Sequence, residues 1–327
     1  MSNALASRLG PAGTRKRVTA PVCFPRYDLA PARRMTGRER RWLNPNHGVF
    51  KRIERVIDRF ASRYVFPHFF GIWNPYSWQL PRRLGIAEAT IQPRPWPQAM
   101  AELRVLLLTD IHAGPFLRPE VLGAVLAELM RLEPDLVAVG GDVVSGSGHD
   151  LDPFLDCFAP LTSAPLGAWF CMGNHEYFTP DPGHVVEQLA SIGIRTLRNH
   201  AVRLEFGGSS FVLGGLDDVV LGEPDWDRLL APAGPPHLLL AHNPDAFYDA
   251  ERRGIGLVLS GHTHGGQIRL PGWPPLVRQS RFCLDEGVMT FGSSTIVVSR
   301  GIGASGVPWR MVARPEAVLL TVRAADG

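Results

Sequence analysis

Five apolar runs in this 327-residue chain end in side chains that bind metal ions. Leu106-Leu107-Leu108-Thr109 runs into Asp110-Ile111-His112, and Leu136-Val137-Ala138-Val139-Gly140-Gly141 into Asp142. The run from Ala168 to Gly173 is followed by Asn174-His175-Glu176, that from His237 to Ala241 by His242, and that from Gly256 to Gly261 by His262-Thr263-His264. A single Asp-x-His at a strand end is weak evidence, because backbone partners often satisfy such residues. Five successive runs that each end in Asp, Asn or His are not accidental. Carboxylate, amide and imidazole ligands suit Mn, Fe or Zn better than Ca or Mg.

The elements that must carry these residues are predicted strands, since in an open α/β sheet ligands gather beyond the carboxyl ends of the strands. From Arg104 the pattern alternates: strand 104–109, helix 118–131, strand 135–140, a short helix 152–158, strand 167–172 and helix 183–192. Val121, Leu122, Val125, Leu126 and Leu129 form the apolar face of the first of these helices. Beyond Ile194 the reading is mainly strand: 201–206, 210–216, 236–241, 256–260, 266–270, 287–291, 294–299 and 316–323, with short helices at 225–230 and 244–252. Phe291-Gly292-Ser293-Ser294 reads as a hairpin turn. Strand–helix alternation followed by a mostly β half predicts an α/β protein, a four-layer α-β-β-α sandwich of two packed mixed sheets. Residues 86–327 are read as the catalytic domain, entered by an extended, proline-rich stretch over 86–99.

Residues 1–85 are read as a separate basic extension. Residues 1–100 carry 18 Lys and Arg against 5 Asp and Glu, whereas the remainder carries 16 against 26. This asymmetry points to an anionic surface, membrane or nucleic acid, and says nothing of fold. Residues 1–45, rich in Arg, Pro, Gly and Ala, are expected to be disordered or loosely draped. Phe50, Ile53, Val56, Ile57, Phe60 and Tyr64 then recur at helical spacing, interspersed with Lys51, Arg52, Arg55, Arg59 and Arg63. The aromatic, proline-broken stretch 64–78 follows. A basic amphipathic helix leading into Trp, Tyr and Phe suits a membrane surface, so residues 49–78 are assigned to an anionic bilayer. Packing of this segment on the catalytic domain is the competing reading. Nucleic acid ranks lower, because the aromatics cluster instead of interleaving with the basic residues.

No run reaches the ~18 apolar residues of a membrane span, and the first thirty residues lack a signal-peptide core. Arg40-Arg41-Trp42-Leu43 is followed by Asn-Pro-Asn-His where a twin-arginine signal would be apolar. The four cysteines, Cys23, Cys157, Cys171 and Cys283, are widely spaced and read as buried free thiols in a reducing compartment. A peripheral position on the cytoplasmic face of the membrane is the resulting expectation.

The blocks Asp110-x-His112, Gly141-Asp142, Gly173-Asn174-His175-Glu176, His242 and Gly261-His262-x-His264 resemble, in order and residue type, the signature of calcineurin-like metallophosphoesterases. The resemblance covers roughly residues 90–325. Gly265-Gly266-Gln267-Ile268-Arg269-Leu270-Pro271, Ser299-Arg300-Gly301-Ile302-Gly303 and Arg314-Pro315-Glu316 narrow it to the bacterial branch of YkuE-like phosphoesterases and UDP-2,3-diacylglucosamine hydrolases. It implies that Asp110, His112 and His264 hold one divalent ion (Mn, Fe or Zn), that Asn174, His242 and His262 hold a second, and that Asp142 bridges both. It also implies that His175 protonates the leaving oxygen or stabilises the charged transition state while a dimetal-bound hydroxide attacks. With two carboxylates and a hydroxide against two M²⁺ the site keeps a positive charge that attracts phosphate. The expected substrate is a phosphodiester or pyrophosphate, with a nucleotide-linked lipid such as UDP-2,3-diacylglucosamine of lipid A biosynthesis the specific candidate.

A nuclease of the same fold is the alternative function, and a metal-free scaffold is disfavoured because every ligand position is filled. His149, His184, His200 and His237 match no motif position and are assigned no role in the site. Asp217-Asp218 is read as a structural carboxylate pair at the site rim, and Arg269 and Arg300 as ion-paired or substrate-facing. Gly265-Gly266 lacks the Gly-Lys-Ser/Thr of a phosphate-cradling loop, so no cofactor-binding residues are assigned.

Overall fold

A computed structural model describes residues 24–31, 74–146, 150–273, 275 and 278–325. Helix α1 (Pro75–Arg83) begins where Asn74 accepts the Ser77 N–H at 3.0 Å, with proline at its first position and Arg82 and Arg83 in its last turn. Strands β2 (Gly85–Ile91) and β3 (Leu103–Leu108) follow. Helix α2 (Pro119–Met130) returns the chain to β4 (Leu136–Val139), and α3 (Leu155–Phe158) to β5 (Ala168–Phe170). Helix α4 (Pro182–Ser191), capped by Asp181, leads to β6 (Arg195–Thr196). The second half comprises β7 (His200–Phe206), β8 (Ser209–Gly215), α5 (Trp226–Leu230), β9 (Leu238–Leu240), α6 (Phe247–Arg252), β10 (Leu257–Ser260), β11 (Gly287–Phe291), β12 (Ser294–Val298) and β13 (Glu316–Val322). Upstream of all of these, Arg26–Asp28 forms β1.

The strands make two mixed sheets, one ordered β1-β2-β13-β3-β4-β5-β6 and the other β11-β12-β10-β9-β8-β7. Period-2 alternation decides which side chains each layer receives. Val105, Leu107, Leu136 and Ala138 point inward and meet Leu238, Leu240, Leu257 and Leu259 of the other sheet. Leu106, Leu108, Val137 and Val139 point the other way and pack with Leu122, Val125 and Leu126 of α2. On the far side, Leu239 and Val258 cluster with Phe247 of α6. The result is the expected α-β-β-α sandwich. Strands buried on both faces need apolar residues at every position, which explains why these read as continuous apolar runs.

The structure departs from the sequence reading at several places. Strand 266–270 is absent; a short turn over His264–Gly266 and a single bridge between Ile268 and Met311 stand there. Two glycines at positive φ, Gly265 and Gly266, break the extended geometry that the apolar residues suggested. Residues 24–31, read as part of a disordered arm, include β1, whose Arg26, Tyr27 and Asp28 pair in parallel with Ile86, Ala87 and Glu88. Three residues are too few to show periodicity. Strand β6, only two residues long, was missed for the same reason.

Residues 74–85, assigned to the extension, are partly built into the core. Tyr76 is fully buried, its hydroxyl donating to the carbonyls of Ile302 and Gly303. Only residues 74–78 of the proposed membrane segment 49–78 are described, and there Tyr76 packs inward while Trp78 is exposed. The amphipathic helix expected at 49–64, together with Cys23, His149 and the Arg40-Arg41 pair, lies outside the described residues. Cys157 and Cys171 are free thiols as expected, with Cys171 buried, and Cys283 is buried as well. Among the described residues no helix is long and apolar enough to cross a membrane.

Candidate metal centre

Strands β3, β4 and β5 run parallel to one another, as do β9 and β10, so all five ligand-bearing loops leave from strand carboxyl ends. Cross-sheet bonds pull them together. Asp110 accepts the His262 backbone N–H at 3.0 and 3.1 Å, and His242 Nδ1 meets the Gly140 carbonyl at 2.7 Å. Asp110, His112, Asp142, His262 and His264 all adopt positive φ, five of the ten non-glycine residues that do so among those described. Left-handed backbone costs a non-glycine residue about 1–3 kcal/mol and persists where surrounding structure enforces it, typically at functional sites. Glycine makes the close approach possible: a Cβ on Gly173 would lie 2.2 Å from Asp142 Oδ1, and one on Gly261 2.3 Å from Asp110 Oδ2.

The ligand atoms converge in two linked groups. Those of Asp110, His112 and His264 lie within 4.8 Å of one another, as do those of Asp142, His242 and His262. Asp142 stands between the groups, its Oδ2 3.1 Å from His242 Nε2 and 3.9 Å from His112 Nε2. His112 Nε2 and His264 Nε2 face each other at 3.1 Å, and His264 Nε2 is 3.4 Å from Asp110 Oδ1. The side-chain oxygen of Asn174 is buried without a hydrogen-bond partner. A buried acceptor without a donor fits a cation, since such orphan groups are otherwise costly. The donor set fits divalent metal: six of the seven residues expected from sequence lie in the two groups, and Asn174 directly precedes His175.

His175, the expected proton donor, is only 7% exposed and borders the cluster. Its backbone N–H donates to Asp142 Oδ1 at 2.8 Å and its Nδ1 lies 2.6 Å from the Ser145 carbonyl. A carbonyl can only accept, so Nδ1 carries the proton and Nε2 is turned toward the site, 3.5 Å from Ser305 Oγ. A ring nitrogen of His175 also lies within 4.8 Å of ligand atoms of His112 and Asp142.

Burial and neighbouring charge set the protonation of the metal-free cluster. Burial pushes Asp110 up to about 6, Asp142 adding to the rise and His242 opposing it. Burial and the surrounding cations hold His112 and His264 well below the ordinary imidazole value. At His242 burial acts downward, but the carboxylate of Asp142 outweighs it and raises the ring to about 10. Burial acts upward on Asp142, and His242 and His175 overcome it, leaving Asp142 ionised. Metal loading must displace the His242 proton at neutral pH, and at lower pH the Asp110 proton as well. Proton release measured by calorimetry in buffers of different ionisation enthalpy should rise as pH falls through 6, where Asp110 adds to His242. Release that declines toward acid pH would contradict these assignments.

Three contributors were given no role by the sequence reading, although Glu176 stood in the motif. Glu176 is fully buried, and its carboxylate accepts the backbone N–H groups of Asp142, Val143 and Gly173 at 3.0, 2.7 and 2.7 Å. It therefore locks the β4 and β5 loops together behind Asp142. Arg310 is also fully buried; it donates to Gly303 O at 2.6 Å and His264 O at 3.3 Å, and its Nη2 is 2.9 Å from His264 Nδ1. Gln79 of α1 holds Arg310 in place by bonding both its backbone N–H and its carbonyl. Outer-shell partners of this kind orient ligands, and their loss typically costs about 10–100-fold in metal affinity or activity.

The remaining candidates are structural. Asp217 is held by Tyr177 at 2.5 Å and Arg198 at 2.9 Å, and Asp218 by the N–H groups of Val220 and Leu221. Arg300 is engaged by Glu316 and Tyr27, and Arg269 by Glu286, so both serve ion pairs. His237 accepts the Val212 N–H, His184 lies on α4, and His200 begins β7, all outside the cluster.

Residues 103–266, which span every one of the five ligand-bearing loops, match the calcineurin-like phosphoesterase family. The chain belongs to that family and is a metal-dependent hydrolase of phosphoesters. It is 34% identical to phosphodiesterase YaeI of Escherichia coli (strain K12) over 227 residues, covering 67% of this chain and 82% of YaeI. It is 29% identical to the uncharacterized metallophosphoesterase YkuE of Bacillus subtilis (strain 168) over 253 residues, 75% of this chain and 88% of YkuE. A transmembrane protein with metallophosphoesterase domain from Bos taurus is 32% identical over 250 residues, 70% of this chain and 55% of that protein.

Proposed function

We propose that the chain hydrolyses a phosphodiester or pyrophosphate, with a nucleotide-linked lipid such as UDP-2,3-diacylglucosamine as substrate, at the cytoplasmic face of the membrane. The observation that carries the reaction is the position of Asp142 between two groups of imidazole and carboxylate ligands. Asp110, His112 and His264 would hold one divalent ion (Mn, Fe or Zn) and Asn174, His242 and His262 the other, with Asp142 shared. Such ions polarise phosphoryl oxygens and generate a nucleophile from water at neutral pH. The diester preference is supported by the likeness to phosphodiesterase YaeI. The lipid is supported by the resemblance to UDP-2,3-diacylglucosamine hydrolases and by the basic first hundred residues.

His175 acts on the leaving group. Its Nδ1 is committed to Ser145 O, which leaves Nε2 to hold a proton for the departing oxygen. A poor leaving group needs that proton and p-nitrophenolate does not. His175→Ala should thus cost about 10²–10³-fold in kcat on an alkyl phosphodiester but far less on bis-p-nitrophenyl phosphate, with metal content unchanged. Equal losses on both substrates would remove His175 as the acid. The substrate is tested by UMP release from UDP-2,3-diacylglucosamine in detergent micelles with Mn²⁺-loaded protein. No release, with bis-p-nitrophenyl phosphate still cleaved, would discard the lipid and leave nucleic acid as the next candidate, to be tried on single strands and duplex across a salt series.

A further inference from the structure

The wall of the metal centre on the His264 side is one unit made of two loops. Residues 267–273 and 305–312 are joined by the Ile268–Met311 bridge, and the Met311 N–H donates to Gln267 O at 3.0 Å. The Gln267 side chain donates to Ser305 O at 2.7 Å and accepts from Ser305 N at 3.0 Å. One loop follows directly on His264, and the other carries Ser305 to within 3.5 Å of His175 Nε2. The unit is therefore part of the site mouth.

Its outer surface is apolar. Leu270, Trp273, Val307, Trp309 and Met311 are exposed there, Trp273 by 63% and Trp309 by 41%. Trp78, 57% exposed, stands next to Gln79, which bonds the backbone of Arg310. These are six of the nine large hydrophobic residues exposed among those described. So much exposed apolar surface in one region marks an interaction site.

Charge identifies the occupant. Arg82 lies over the Trp78 ring at 4.5 Å, and Arg83 bonds the Arg310 carbonyl. Arg314 is close enough to Arg83 that, after burial, its charge helps to lower the Arg83 pKa. None of Arg82, Arg83 and Arg314 makes an ion pair among the described residues. A second copy in a symmetric contact would set these arginines against themselves. Residues 32–73 of this chain, with ten Lys and Arg against three Asp and Glu, would add positive charge to positive. Tryptophans beside unpaired arginines instead match a bilayer interface, with rings at the headgroup level and cations over anionic lipid.

We infer that the rim formed by residues 267–273, 305–312 and Trp78 docks on an anionic lipid bilayer, so that the metal centre opens onto the headgroup layer. The inference deepens, and rests on, the reading of a membrane-borne substrate. It places the contact at the site mouth itself and not only in residues 49–78.

The test uses the full chain and its Trp273→Ser/Trp309→Ser double variant. Co-sedimentation is measured with phosphatidylcholine vesicles containing 30% phosphatidylglycerol and with phosphatidylcholine alone, and hydrolysis of bis-p-nitrophenyl phosphate is followed in solution. The expected result is at least a tenfold loss of affinity for the anionic vesicles in the double variant, with soluble turnover unchanged. Leu270→Asp, on the same rim, should give the same loss and stands in if the double variant fails to fold. Variants that bind like the parent would overturn the rim while leaving the membrane-borne substrate in place. A parent chain that binds neither vesicle would overturn both. A concentration-dependent dimer abolished by the same variants would overturn it in favour of a second copy.

Discussion

Asp142→Asn is expected to abolish turnover, by about 10³-fold or more, and to lower bound metal by at least one ion per chain. Its Oδ2 is the atom shared by the two ligand groups, 3.1 Å from His242 Nε2 and 3.9 Å from His112 Nε2, while its Oδ1 accepts the His175 N–H. An amide keeps the shape and can still accept one hydrogen bond. It cannot supply a negative charge between two cations, and its NH₂ group would face them. His242 should also lose its main acid–base anchor, since Asp142 contributes most, ahead of Asp110 and Asp218, to raising that ring against burial to about 10. The expected readouts are loss of bis-p-nitrophenyl phosphate hydrolysis, fewer metal ions by elemental analysis, and a His242 imidazole that titrates nearer its ordinary value. Retention of two ions and full turnover would show that Asp142 is not shared.

Glu176→Ala is expected to be the most damaging change for stability at a position outside the assigned ligand set. Three close backbone N–H donors, those of Asp142, Val143 and Gly173, depend on this buried carboxylate, with the Val144 N–H a longer fourth at 3.4 Å. A buried donor left unsatisfied costs about 1–3 kcal/mol, and the three losses overlap because the freed loops can relax together. A total on the order of 3–5 kcal/mol corresponds to a fall of about 10 °C in melting temperature for a chain of this size. Activity should fall with it, because Asp142 and the Asn174–His175 pair leave from the loops that Glu176 ties together. Burial, and then the charge of Asp142, raise the Glu176 carboxyl to about 7, so at neutral pH it is only partly ionised without metal. Cations beside Asp142 favour its carboxylate, and metal should therefore stabilise the parent more than it stabilises Glu176→Ala. Thermal denaturation with and without Mn²⁺ measures both effects; a variant that melts with the parent would refute the role.

The clustering of the candidate metal residues was legible because these residues sit at strand ends. A strand buried on both faces must be apolar throughout, so the change from Leu-Leu-Leu-Thr to Asp110, or from Leu-Val-Leu-Ser-Gly to His262, stands out in the bare sequence. The layers were legible for the same reason, because alternation with α2 and α4 fixes parallel crossovers. What supports the ligands was not. Gln79 and Arg310 are separated by 231 positions, and nothing local marks either as more than a polar residue in an ordinary segment. Glu176 was visible as the residue after His175, but its function depends on three N–H groups that converge only once β4 and β5 are side by side. Tyr76 belonged to an aromatic run that suited a membrane as well as a core; its hydroxyl bonds to Ile302 and Gly303 decide for the core at that one residue. Strand 266–270 failed because apolar content was weighed above Gly265 and Gly266, whose left-handed backbone turns the chain away after His264.

The central claim is that Asp142 is shared between two metal ions held by the five strand-end loops. Crystals grown with Mn²⁺ and measured at wavelengths on either side of the manganese absorption edge test it directly. Two anomalous peaks flanking the Asp142 carboxylate, one against Asp110, His112 and His264 and the other against Asn174, His242 and His262, are the expected result. A single peak, or peaks away from Asp142, would contradict it.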